Sequence, residues 1–183
     1  MKSFATAFVL AALPAFAAST AHAADSPKSV ALVRAMRSDE IAVATAKLAF
    51  LSGSMKERYG KTNNGCVKRI PYADFTAGWA HVVESVLSPS EVETSLAFFQ
   101  SDAGVKYVEG MLRRMRTRQG DESALPEVPG KEEVTPAQLA AIADFSRSDL
   151  GQKVMGKDLT LSPAATSLGK EITEQIAKKC GGK

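Results

Sequence analysis

The chain has 183 residues, with 23 Lys and Arg against 20 Asp and Glu, 45% hydrophobic residues, two histidines and two cysteines. So mild a charge balance gives no footing for a nucleic-acid or membrane-surface partner. HExxH, CxxC, GxGxxG and GxxxxGK(S/T) patterns are all missing, so no metal, no cofactor and no nucleotide is expected.

The first 23 residues read as a secretory signal. Lys2 is the positive end, FATAFVLAALPAFAA the short apolar core, and Ala21-His22-Ala23 a small-x-small cleavage site. The core is too short for a comfortable membrane span, and no Cys follows it to take a lipid. The expected product is a periplasmic or secreted chain over 24–183, long enough for one domain with a real core. It keeps one histidine, His81, and no later segment able to cross a bilayer.

From there apolar residues recur at helical spacing, and no strand-like alternation persists. Val30, Val33 and Met36 mark a short helix. Ser38-Asp39-Glu40 opens a segment whose stripe of Ile41, Ala44, Leu48, Leu51, Met55 and Tyr59 predicts one long amphipathic helix. GKTNNGC, residues 60 to 66, reads as a stop. Pro71 then starts a helix with Tyr72, Phe75, Trp79, Val82 and Val86 on its buried side. QGDESALPEVPGKEE, 119–133, reads as an exposed connector. A last helix runs from Pro163 to about Lys179 with Leu168, Ile172 and Ile176 inward.

Within this series one unit is written twice, near 87–118 and 134–158. SPSEVETSLAFFQSDAGVK (88–106) and TPAQLAAIADFSRSDLGQK (135–153) share six of nineteen positions: Pro89/Pro136, Phe98/Phe145, Ser101/Ser148, Asp102/Asp149, Gly104/Gly151 and Lys106/Lys153. Ser88 and Thr135 are N-cap residues, with Pro at the first helical position and Glu91 or Gln138 placed for a capping box. Leu87 with Val92, and Val134 with Leu139, are spaced for hydrophobic staples. Ser101 and Ser148 cap a second helix, and Phe98 and Phe145 close the corner before it. Gly104 and Gly151 stand where a Cβ would block a close approach, since a helical Gly otherwise costs about 0.5–1 kcal/mol. The expected architecture is an all-α, single-domain bundle of about seven helices, its two corners packed on the long helix around Ile41 to Tyr59.

The pattern Ser/Thr-Pro-x-Glu/Gln, then Phe, then Ser-x-x-Gly-x-Lys, behind a signal peptide, resembles the bacterial exported family termed domain of unknown function 2059. Thr135 to Lys153 is similar to its hallmark, Ser88 to Lys106 more loosely, and the likeness extends over roughly 70–180. Ser146, where the first copy has Phe99, departs from the usual aromatic pair. The resemblance implies an all-helical periplasmic or secreted domain and brings no activity with it.

Cys66 and Cys180 are the only cysteines. In an oxidising compartment a lone distant pair forms one disulfide, the alternative being two free thiols. Ser101, Ser148, Asp102 and Asp149 already serve as caps and first-turn charges, and neither copy has a nearby His, so capping outweighs catalysis. His81 reads as a solvated position rather than a lone general base. MLRRMRTRQ places Arg113, Arg114, Arg116 and Arg118 around a helix whose apolar side is Val108, Met111, Leu112 and Met115. These arginines are a solvated face or a surface for an anionic partner. The leading expectation is a non-catalytic exported module that binds a protein or an envelope component. The alternatives are a small cell-envelope hydrolase and a carrier of an apolar ligand with Trp79 in its cavity wall.

Overall fold

The structure, a computed structural model, describes residues 26–119 and 133–181, with the side chains of 116–119 left aside. The expected signal, most of the expected connector, and the side chains of Arg116 and Arg118 therefore lie outside the described residues. What is described is helical. In chain order come α1 (Pro27–Met36), α2 (Ser38–Leu51), the single turns α3 (Lys56–Tyr59) and α4 (Asn64–Lys68), a 3-10 turn (Ala73–Phe75), and α5 (Thr76–Val86). Then follow α6 (Pro89–Gln100), α7 (Asp102–Gln119), α8 (Pro136–Arg147), α9 (Asp149–Met155), α10 (Lys157–Thr160) and α11 (Pro163–Cys180). Among the described residues there is no strand, only an isolated bridge between Thr62 and Gly181.

α5 sits at the centre. Trp79, Ala80, Val82 and Val83 are buried on it, and α1, α2, α10 and α11 all pack around it. α1 contributes Leu32 and Val33, and α11 contributes Leu168, Ile172 and Ile176 at the expected spacing. Apolar burial of this kind stabilises by roughly 25 cal/mol per Å2 of area removed from water.

Two expectations for the segment after α2 are corrected. The long helix to Tyr59 stops at Leu51, because Gly53 takes φ 81° and the chain turns before α3. GKTNNGC is not only a stop. The Asn63 side chain accepts a hydrogen bond from the Cys66 amide at 2.9 Å and so caps α4. Cys66 on α4 is joined to Cys180 at the end of α11 in a disulfide, and the Asn63 amide donates to the Cys180 carbonyl at 2.8 Å.

Both corners carry the caps their letters encode. Ser88 with Glu91, and Thr135 with Gln138, close full capping boxes at the starts of α6 and α8. Ser101 and Ser148 then accept from the amides of Gly104 and Gly151 at 3.2 and 3.0 Å. A Cβ on Gly104 would lie 2.1 Å from the Phe98 carbonyl oxygen, and one on Gly151 would lie 1.7 Å from that of Phe145. The close approach is thus to the last turn of the helix before the corner. The copies pack reciprocally, α6 against α9 and α7 against α8. Phe98 and Phe145, equivalent residues, stack on each other with centroids 3.8 Å apart and planes 6° from parallel. Glu91 of the first copy pairs with Lys153 of the second at 2.8 Å. That bond, together with the Ser88 amide, pulls the Glu91 carboxyl down to about 2.

The copies differ at their outer ends. Leu87 and Val92 are both buried, as a staple requires, whereas Leu139 is 56% exposed and no residue of α8 is buried. Copy two therefore lacks the buried staple. Nor do the corners rest on α2 as expected: α6 lies along α1, while α7 reaches the α2 pair Ala44 and Leu48 through Met115.

Candidate functional site

α2 is apolar on nearly every side, with Lys47 its one charged residue after the first turn. A helix of that composition needs partners all round. One side, with Val43, Ala44, Lys47, Leu48 and Phe50, is buried. The other, with Ile41, Ala42, Thr45, Ala46 and Ala49, forms one rail of an apolar cleft of about 460 Å3. Ile41, expected on the core stripe, belongs to this second side.

The facing rail is α11, through Ala165, Gly169 and Thr173, whose spacing of four puts them on one side of the helix. Trp79 and Phe99 also line the space, with Val154, Met155, Leu159 and Thr160 from α9 and α10, and Tyr107, Val108 and Met111 from α7. Four methionines border it, Met36, Met55, Met111 and Met155. Their unbranched thioether side chains can reshape around different occupants. Among the described residues, no charged side chain lines the cleft. Trp79 is 8% exposed, and its indole N–H has no hydrogen-bond partner among the described residues.

Beneath α2 lies the group sequence reasoning missed. Lys47 is 1% exposed. Its Nζ donates to the Lys68 carbonyl at the end of α4 at 3.1 Å and sits 4.1 Å from the centroid of the Tyr72 ring. A carbonyl at a helix C-terminus and an aromatic face both favour a cation. Burial still disfavours the charge and lowers the Lys47 pKa below the ordinary lysine value.

Residues 131–179 match a family model described as an uncharacterized protein conserved in bacteria (DUF2059). The match is narrower than the 70–180 expected. It covers the second corner and most of α11, and leaves the first copy outside. No curated protein and no solved structure matches the chain. The part matched by the family model supplies one whole wall of the cleft, Val154, Met155, Leu159 and Thr160 together with the α11 rail.

The other sequence candidates fall elsewhere. His81 is exposed and borders a shallow depression of about 400 Å3 with Ser167 and Glu171. That trio has the composition of a nucleophile, base and orienting acid, but no hydrogen bond joins its members, and such catalysis works through that chain of bonds. No group of three or more His, Cys, Asp or Glu that could hold a metal occurs among the described residues. Ser101 and Ser148 are occupied as caps, also donating to the carbonyls of Phe98 and Phe145 at 2.6 and 2.7 Å. Arg113 is half-buried and bonded to Glu109 at 3.1 Å, one turn back on α7. Arg114 is exposed.

Proposed function

We propose that the protein is a non-catalytic, exported binding module of the bacterial cell envelope, and that its ligand carries an apolar chain held in the cleft between α2 and α11. The observation that carries this reading is the cleft itself: a space within the range of about 300–1,000 Å3 typical of small-molecule sites, walled among the described residues by mostly apolar and small side chains without a charge. Export is supported by the signal pattern of residues 1–23 and by the disulfide, which suits an oxidising compartment. No described helix is long and apolar enough to cross a membrane.

Trp79 supplies the assay, since it is the single Trp of the chain and lines the cleft. Titration with a soluble long-chain amphiphile should saturate a change in its emission. Gly169→Leu is the matching control. A Cβ at Gly169 meets nothing within 4 Å, and Leu is the better helix former by about 0.8 kcal/mol. That variant should therefore fold at least as stably as the parent while its side chain fills the cleft. A Gly169→Leu protein that binds the chain as well as the parent would remove the cleft as the site.

A further inference from the structure

The mild charge of the whole chain is the sum of two uneven parts. Residues 56–69, KERYGKTNNGCVKR, hold five basic side chains and one acidic, and Lys178 and Lys179 add two more cations. Elsewhere in 24–183, fifteen basic side chains meet nineteen acidic ones. The fold brings the two basic segments together at the end of α11. Cys66 is bonded to Cys180, the Asn63 amide donates to the Cys180 carbonyl, and Thr62 forms a bridge with Gly181. Lys56, Lys61, Thr62 and Asn64 share one hollow, and Lys68 and Arg69 stand exposed at the end of α4. Little within the chain answers these charges. Asp74 pairs with Lys179 at 3.3 Å, and Glu174, one turn before Lys178, pairs with Lys170 at 3.7 Å. Among the described residues the side chains of Lys56, Lys61, Arg69 and Lys178 are exposed and make no hydrogen bond or ion pair. Like charges gathered in this way repel, and an anion from outside relieves the repulsion.

The character of this surface selects the anion. The core of a protein–protein interface is apolar and aromatic, whereas the exposed large apolar side chains among the described residues, Val105, Leu139 and Leu161, all lie outside these segments. Export, supported by the signal pattern and the disulfide, sets nucleic acid aside. A bilayer rich in anionic lipid presents many phosphates in no fixed arrangement, which suits long, separate cations that converge on no shared partner. We propose that this end of the molecule docks on an anionic lipid surface, with Lys56, Lys61, Arg69 and Lys178 meeting lipid phosphates. Docking is a property distinct from the cleft, but the two adjoin: Met55 borders the cleft and Lys56 the basic hollow, so docking brings that border of the cleft toward the lipid.

The test is co-sedimentation of the full exported chain with vesicles of phosphatidylcholine alone and of phosphatidylcholine mixed equally with phosphatidylglycerol, with the folding of each variant checked by circular dichroism. The parent should bind the anionic vesicles and not the neutral ones, and salt should weaken the binding as it screens the charges. A basic side chain near such a surface is worth about fivefold in affinity, so Lys56→Gln/Lys61→Gln/Arg69→Gln/Lys178→Gln should lose on the order of a hundredfold or more. Arg34→Gln/Arg147→Gln/Lys157→Gln/Lys170→Gln removes the same charge from exposed positions elsewhere and should lose far less. Equal losses in the two quadruple variants, or equal binding of neutral and anionic vesicles by the parent, overturn the proposal. Release from the vesicles by glycerol phosphate but not by sodium chloride of equal ionic strength also overturns it, in favour of a site for a soluble phosphate. Capture of polyglutamate with the anionic vesicles left unbound overturns it in favour of an acidic protein. Gly169→Leu should dock as the parent does, whether or not the cleft binds an apolar chain. Loss of docking by that variant would place the lipid in the cleft alone and overturn the basic end as the docking surface, while leaving the cleft reading standing.

Discussion

Lys47 shows how one residue can bind three elements and cost stability in doing so. Its ammonium ties α2 to the C-terminal carbonyl of α4 and to Tyr72, but a buried cation gives up hydration that no carboxylate repays among the described residues. Lys47→Met keeps the length and apolar stem and removes the charge. We expect it to cost no more than about 1 kcal/mol at neutral pH. The sharper expectation concerns alkaline pH. A lysine whose pKa is lowered in the fold holds its proton more weakly there than in the unfolded chain. Between the folded value and 10.5 the unfolded state therefore binds more protons, and stability rises with pH. Urea denaturation of parent and Lys47→Met in parallel should show the parent gaining on the variant as pH climbs toward 10.5. Other groups titrate alike in both proteins and cancel. A difference that stays flat with pH would mean that the folded protein does not depress this group.

The corners were legible in the sequence because everything that specifies them is local: an N-cap, a proline one residue on, a capping-box partner two further, and a glycine three past the next cap. The glycines carry the decisive test. A Cβ at Gly151 would fall inside the Phe145 carbonyl, whereas one at Gly110, in the middle of α7, meets nothing within 4 Å. Gly151→Ala should therefore destabilise by about 1–3 kcal/mol through forced backbone movement. Gly110→Ala should stabilise by up to about 1 kcal/mol from helix propensity alone. Thermal melting of the pair decides the matter, and a Gly151→Ala protein that melts higher than the parent would refute the corner geometry. Harder to read were the elements whose ends depend on one backbone angle or one short cap. The apolar spacing from Ile41 to Tyr59 runs unbroken through Gly53, so period alone joined two helices that a positive φ separates. Asn63 and Asn64 read as a stop, although Asn63 is also a helix cap.

At the scale of the whole molecule the cleft escaped the sequence because its two rails are far apart in the chain, Ile41 to Ala49 on one side and Ala165 to Thr173 on the other. One signal pointed to it: α2 carries more apolar residues than a single stripe can bury, so a second face had to meet something. The spacing of the rails has a physical linkage. α11 ends in Cys180, whose bond to Cys66 holds α4, and the carbonyl of Lys68 at the end of α4 holds Lys47 of α2. The two sides of the cleft are thus joined through a disulfide and a buried lysine. Closing a loop of 114 positions restricts the unfolded chain as well, worth about 4–5 kcal/mol by chain entropy and about 2–4 kcal/mol in typical measurements. Native protein should accordingly take up no alkylating reagent until it is reduced. Cys66→Ala/Cys180→Ala should unfold at a denaturant concentration lower by the equivalent of about 2–4 kcal/mol. Since the same bond positions the α11 rail, this variant should also bind a long-chain amphiphile more weakly than the parent under conditions where both are fully folded. Loss of stability with unchanged binding would show that packing around α5 alone sets the width of the cleft, and that the disulfide acts on the unfolded chain.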